Sequence, residues 1–167
     1  CTDTNNCGGI TNRPLLSQTC TTGTEQVITN VTVTRVGTHG VLESSGVVAS
    51  RAYPGVYWMI PDSGNPATLY AVSANGATIR SFTVGGSANV DWEDIAIDES
   101  NQLWIADTGD NGQTRTSYTL YRLPEPNPNL AATVTATAYR FVYPDGAKDS
   151  EGTFGWQGVP HVVQTRP

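Results

Sequence analysis

The chain repeats itself, and that repeat narrows its architecture more than any other feature. "MIPDSGN" (Met59 to Asn65) matches "WIADTGD" (Trp104 to Asp110) at an offset of 45, which sets Asp62 against Asp107 and Gly64 against Gly109. "TLYAV" (Thr68 to Val72) matches "TLYRL" (Thr119 to Leu123), and "ESSGVVAS" (Glu43 to Ser50) matches "DWEDIAID" (Asp91 to Asp98). A third start, "DSEG" (Asp149 to Gly152), gives periods of 48 and 58. A unit of this length holds about four short strands, too little to bury both of its own faces, so it must stack on its neighbours.

Strand signals fill both units. In the first they fall on Gly46–Ser50, Val56–Ile60, Leu69–Ser73 and Thr78–Val84. In the second they fall on Ile95–Asp98, Gln102–Ala106, Thr119–Leu123 and Thr135–Tyr143. "SANGAT" (Ser73 to Thr78) carries an Asn-Gly pair, whose Gly supplies the positive φ of a tight hairpin, and "DESNQ" (Asp98 to Gln102) has the same task. The insertion "PEPNPNLAA" (Pro124 to Ala132) lengthens the second period. Before the repeats, Val27, Thr29, Val31 and Val33 alternate against Ile28, Asn30, Thr32 and Thr34, a period of two that predicts one more strand. After Gly152, "GTFGWQGVPHVVQTRP" lacks an alternating run, so no strand of a third unit is expected there.

The predicted fold is therefore all-β: two four-stranded antiparallel blades of propeller type, with an N-terminal strand and tether. Its segments are a polar Cys-containing stretch at 1–24, the two-blade domain at 25–151 and a C-terminal tail at 152–167. Composition agrees. Seventeen Gly and ten Pro in 167 residues fit a turn-rich chain, and 14% charged residues are too few for ion-paired helices. A net charge of −6 with Lys148 and scattered Arg offers no basic stripe, which argues against a nucleic-acid partner. No apolar run reaches the roughly 20 residues a spanning helix needs.

Cys7 and Cys20 can close a disulfide loop, as can Cys1 with either of them. Cys1 also stands where bacterial lipoprotein processing leaves a lipid-bearing Cys. Lipidation there is the one expected route to a membrane, with a cut end as the plain alternative. The Thr/Asn-rich, Lys-poor composition reads as secreted or cell-surface.

"LESSGVVASRAYPGVYWMIPDSGNPATLYAVSANG", "DWEDIAIDESNQLWIADTGDN" and "LYRLPEP", taken in order, resemble secreted bacterial β-propellers of the NHL, lactonase-like and phytase-like group. The resemblance covers roughly Leu42 to Glu151. It implies the fold, while the activities in that group range over hydrolases, lactonases and binding proteins. A ring needs about four to eight blades. Two blades leave strand edges unpaired, which predicts a homo-oligomer or filament-like assembly.

The candidate metal ligands are Glu93, Asp94, Asp107, Asp110 and Asn111, a set of hard oxygen donors suited to calcium. "DTGDNG" does not make an EF-hand loop, because Tyr118 stands where the bidentate Glu belongs. Asp-x-Gly and Asp-Asn-Gly are also Asx-turn chemistry, the simpler reading of the same residues. Glu43, Glu93 and Glu151 recur near the unit starts, with Asp91, Asp94 and Asp149 beside them. Recurrence favours a structural task in each unit, such as capping strand-start N–H groups. Asp62 and Asn65 are candidate ligand-binding residues. Trp92, between two acids, is the aromatic residue expected to face a ligand rather than the core. His39 and His161 lack neighbouring ligands at zinc spacing, and no Gly-x-Ser-x-Gly elbow or phosphate loop is present.

These features predict an exported structural or binding protein, self-associating through open strand edges and binding calcium. The alternatives are a metal-dependent propeller hydrolase of the phosphoesterase or lactonase type, and an extracellular carbohydrate-binding module.

Overall fold

The computed structural model describes residues 37–130 and 133–165, all within one compact unit, Arg35–Pro167. The expected strand at 27–34, the polar segment at 1–24, Cys1, Cys7 and Cys20 lie outside the described residues.

Among the described residues every regular element is a strand. The first sheet is built from β1 (Ser44–Ala49), β2 (Val56–Pro61), β3 (Thr68–Ser73) and β4 (Thr78–Gly85), each antiparallel to the last. The second repeats the pattern with β5 (Trp92–Ile97), β6 (Gln102–Asp107) and β7 (Tyr118–Pro124). After β7, two short strands, β8 (Thr133–Thr135) and β9 (Thr137–Phe141), stand where a single strand, Thr135–Tyr143, was expected. That segment breaks at Ala136. β9 completes the second sheet on β7, whereas β8 runs parallel to β4 and becomes the fifth strand of the first sheet. Ala136 N donates to Gly85 O at 2.8 Å, so the break pins the two sheets together at their outer strands.

A third sheet follows, where no strand was expected. β10 (Ser150–Trp156) and β11 (Val159–Gln164) form a hairpin through Gln157 (φ 52) and Gly158 (φ 71). Two successive positive φ values are the signature of a tight hairpin turn. The acceptor for its N–H groups comes from the turn between β5 and β6: Glu99 takes Gln157 N at 3.0 Å and Gly158 N at 3.1 Å.

The hydrophobic core lies between the first two sheets. Trp58, Ile60, Leu69, Ala71, Phe82 and Val84 from one meet Trp92, Ile95, Leu103, Ile105, Tyr121 and Leu123 from the other. The opposite face of the second sheet buries Trp104, Ala106 and Leu120, with Phe141 of β9 and Val162 of the hairpin packed against them. Sheets covered on both faces read as nearly continuous apolar runs, as in "LWIA". The innermost strands approach closely. A Cβ on Gly46 of β1 would stand 2.8 Å from Ile95 N and 2.9 Å from Asp94 Cα of β5, backbone that cannot move aside.

Strand register corrects the alignment of the repeats. Val48 faces Trp58 and Ala96 faces Trp104, so the two tryptophans are equivalent and the offset there is 46 rather than 45. Asp62 N donates to Glu43 O, and Thr108 N donates to Asp91 O, so Asp62 corresponds to Thr108 and not to Asp107. One residue of slip moves every side chain to the other face of its sheet. The matched Asp-Ser/Thr-Gly letters belong to loops that leave their strands one residue apart.

Glu125 ties the second unit to the first. It accepts from Trp58 Nε1 at 2.7 Å, from Ala52 N at 3.0 Å and from Ser50 Oγ. Glu125→Gln keeps the volume but replaces one accepting oxygen with a donor. The substitution is expected to cost about 1–2 kcal/mol, measured as a lower midpoint in urea with an unchanged slope.

Candidate metal centre

The three inner strands begin the same way. The register shifts once between Ser44 and Gly46, once between Trp92 and Asp94, and once between Ser150 and Gly152. Each shift is a β-bulge whose extra residue is Ser45, Glu93 or Glu151. A bulge re-aims the side chain of its extra residue, and here the three converge. Ser45 Oγ donates to Glu93 O at 2.8 Å and to Glu93 Oε2 at 3.2 Å. Glu93 and Glu151 share a hydrogen bond.

Two carboxylate triads meet at Glu93. Asp62, Asp91 and Glu93 offer oxygens within 4.8 Å of one another, and so do Glu93, Asp149 and Glu151. Glu93 is buried, Asp62, Asp91 and Asp149 are half-buried, and Glu151 is exposed at the rim. Gly109 forms the floor, because a Cβ there would collide with the carboxylates of both Glu93 and Asp91. The loop bearing it is fixed to both neighbours: Gly109 N and Thr108 N donate to Asp91 O at 3.1 Å, Thr108 Oγ1 to Ser150 O at 2.8 Å, and Asp110 N to Asp149 Oδ1 at 2.8 Å.

The electrostatics follow from crowding of like charges. Burial pushes the Glu93 carboxyl up to about 8, helped by the hydrogen bond and charge of Glu151 and by the charges of Asp91 and Asp62. Burial also raises Asp91, opposed by a hydrogen bond from Ser63 and by the charge of Arg115. A proton held by Glu93 keeps the carboxylates together, and a divalent cation would do the same more fully.

Of the expected metal ligands the structure brings only Glu93 into this cluster, joined by Asp62, an expected ligand-binding residue, while Asp94, Asp107, Asp110 and Asn111 fall outside its two triads. Asp94 accepts Thr153 N at 2.7 Å and so joins β5 to β10. Asp107, 1% exposed, is paired with Arg115 Nη1 at 3.0 Å and accepts Asp91 N at 3.0 Å. Asp110 accepts Thr114 N, Arg115 N and the Tyr118 hydroxyl, an Asx-type turn. Burial works against its ionised form, but these donors and the charge of Arg115 hold its carboxyl below the ordinary value. Asn111 is exposed in the same loop. Asn65 donates to Glu43 Oε2 at 3.0 Å and to two backbone carbonyls, locking its loop. Trp92 is fully buried, with Nε1 on Ala88 O at 2.9 Å and its ring against Tyr121, so it is core and not a ligand platform.

Asp91, Asp149 and Glu151 complete the cluster, although sequence reasoning set them aside as strand-start residues. Their recurrence at the unit starts was the usable signal. By register Ser45, Glu93 and Glu151 are equivalents, as are Glu43, Asp91 and Asp149, so recurrence places side chains around a shared point instead of capping three separate strands.

No protein-family model and no curated protein matches the chain.

Proposed function

We propose that the chain is part of an exported β-propeller binding protein that associates with further blades and whose inner strand starts seat a hard divalent cation, calcium. Two successive sheets that open with the same antiparallel run of strands, and a hairpin after them that starts on the same bulge, support the blade reading. The observation that carries the cation reading is the convergence of those bulges, which gathers five carboxylates over a glycine floor. Oxygen donors from several loops, with an open rim for water, suit calcium better than the stricter octahedral demands of magnesium. The burial of Trp92 takes away one of the aromatic residues expected to face a ligand.

Thermal melting in calcium and in chelator tests the cation seat. Calcium at about 10 mM, roughly ten times the weakest dissociation constant of extracellular calcium modules, should stabilise by about 1.4 kcal/mol. That corresponds to a midpoint rise of about 4 °C. Asp91→Asn and Glu151→Gln should each reduce the rise, and an unchanged midpoint in the native chain would sink the assignment.

A further inference from the structure

Among the described residues the third sheet stops short of the sheet it covers. The first two sheets hold five and four strands, and the hairpin after them holds two. β10 lies beside β5, and β11 packs Val162 onto Trp104, Ala106 and Leu120, so the hairpin covers the inner half of that face of the second sheet. No strand lies over the outer half. It is a shelf made of Leu120 and Arg122 from β7 and Tyr139 from β9, which the register sets on the same side as Trp104 and Ala106. Tyr139 is 44% exposed there.

The edge of β11 beside that shelf is unpaired. Gln157 and Gly158 close the hairpin as a two-residue turn, so Val159, His161 and Val163 bond inward to β10. Thr165 N donates inward to Asp149 O, and Thr153 N donates outward from β10 to Asp94, which keeps the same alternation. Val162 N, Gln164 N and the carbonyls of Pro160 and Val162 therefore point outward, with no partner among the described residues. Pro160 has no N–H to offer, which blunts one end of the edge and leaves the other open. Arg122 has a matching gap. Its guanidinium lies 5.5 Å from the centre of the Trp104 ring, and its Nε is buried with no hydrogen-bond partner. It stands level with Pro160, because Pro160 pairs with Gly155, Gly155 abuts Asp98, and Arg122 acts on Asp98 through its charge.

We propose that the β11 edge and this shelf take an extended segment of a partner protein, which binds as the next strand of the third sheet. Its backbone pairs with Val162 and Gln164, the mode in which a peptide strand extends an open sheet edge. Its side chains alternate. One set faces the shelf, apolar over Leu120 and Tyr139 and acidic where it meets Arg122, while the other lies on the exposed side of Phe154 and His161. Two features favour this occupant. An added strand continues both the β10–β11 ladder and the packing of the third sheet on the second, and its carboxylate gives the Arg122 guanidinium a charged acceptor. A second copy of the chain does not fit. Its β11, added antiparallel, would bring its own second sheet into the space that this second sheet already fills. None of this depends on the cation seat.

Two fluorescein-labelled peptides test this, TVTVTET and TVTVTRT, each blocked at both ends and each with two valines and one charge on the same side of the strand. Run antiparallel to β11, their valines fall opposite Gln164 and Val162, and the charge falls opposite Pro160, level with Arg122. Fluorescence anisotropy should give the acidic peptide a dissociation constant on the order of 100 µM, and the basic peptide should bind at least about tenfold more weakly. Gln164→Pro removes an outward donor at an exposed position and should weaken the acidic peptide about tenfold. Arg122→Gln should abolish the preference between the peptides. Amide hydrogen exchange needs no substitution: in the native chain the acidic peptide should slow Val162 and Gln164. No binding at about 2 mM peptide, equal binding of the two peptides, or a Gln164→Pro chain that binds as the native one does overturns the proposal. So does sedimentation of the native chain as a dimer that Gln164→Pro abolishes, since the edge would then belong to a second copy. The calcium-dependent rise in melting temperature, measured on Gln164→Pro, keeps this outcome separate from the cation reading.

Discussion

Arg115→Ala should cost about 3–4 kcal/mol of folding stability. The guanidinium does three things at once. Nη1 donates to Asp107 Oδ1 at 3.0 Å and to Gly109 O at 2.9 Å, and the group lies 5.1 Å from the centre of the Tyr118 ring. Asp107 is 1% exposed, so without Arg115 its carboxylate stays buried beside Asp91 with no cation against it among the described residues, though the Asp91 N–H still donates to it. Removing one partner of a buried pair leaves an uncompensated charge, which costs more than the pair itself contributes. The Gly109 carbonyl would lose its donor as well, loosening the floor of the carboxylate cluster. Chemical denaturation measures the loss directly. Asp107→Asn combined with Arg115→Ala should recover part of it, because the stranded charge is gone. Equal losses in the single and double variants would show that Arg115 acts through packing on Tyr118 alone.

Much of the sheet structure was legible because its grammar is local. Period-two runs and the Asn-Gly turn placed β1 to β7 within a few residues of their observed bounds. The third sheet was not legible because the residues that allow it are those that signal loops. Gly155 reads as a strand breaker, yet a Cβ there would lie 3.1–3.2 Å from Asp98 of the neighbouring sheet, so close approach requires it. Pro160 sits opposite Gly155 in the hairpin, and the turn residues Gln157 and Gly158 are held by Glu99 from the turn between β5 and β6. Such support is tertiary and leaves no mark in the segment itself.

The site was half legible for a related reason. Asp107 and Asp110 carry the same letters as metal ligands, and their partners decide otherwise: an arginine for one, two backbone N–H groups and a tyrosine for the other. Asp91, Asp149 and Glu151 are ordinary in sequence. Only the bulge, repeated in three strands that lie side by side, turns their positions into a cluster. The one-residue error in the repeat offset hid this by making Asp62 and Asp107 look equivalent, although one faces the cluster and the other is sealed beneath it.

The cluster should write itself into the pH dependence of the metal-free protein. In chelator, stability should fall as pH rises from about 4.5, the ordinary value for Glu93, to about 8, its value in the fold. Within that window the folded chain keeps a proton that the unfolded chain has released, so the folded state binds more protons and each step up in pH works against it. Below the window both states are protonated at Glu93, and above it both are ionised. The full shift would be worth nearly 5 kcal/mol. The open rim at Glu151 and the half-buried aspartates admit solvent screening, which brings the expected loss to about 2–3 kcal/mol. Burial raises Asp91 as well, so its contribution has the same sign. Glu93→Gln mimics the protonated form and should be the more stable protein at pH 8 while matching the native chain near pH 4. Urea midpoints across this range decide the matter: a native profile that stays flat, or a Glu93→Gln profile that falls as steeply, would mean that Glu93 is not the group holding the proton.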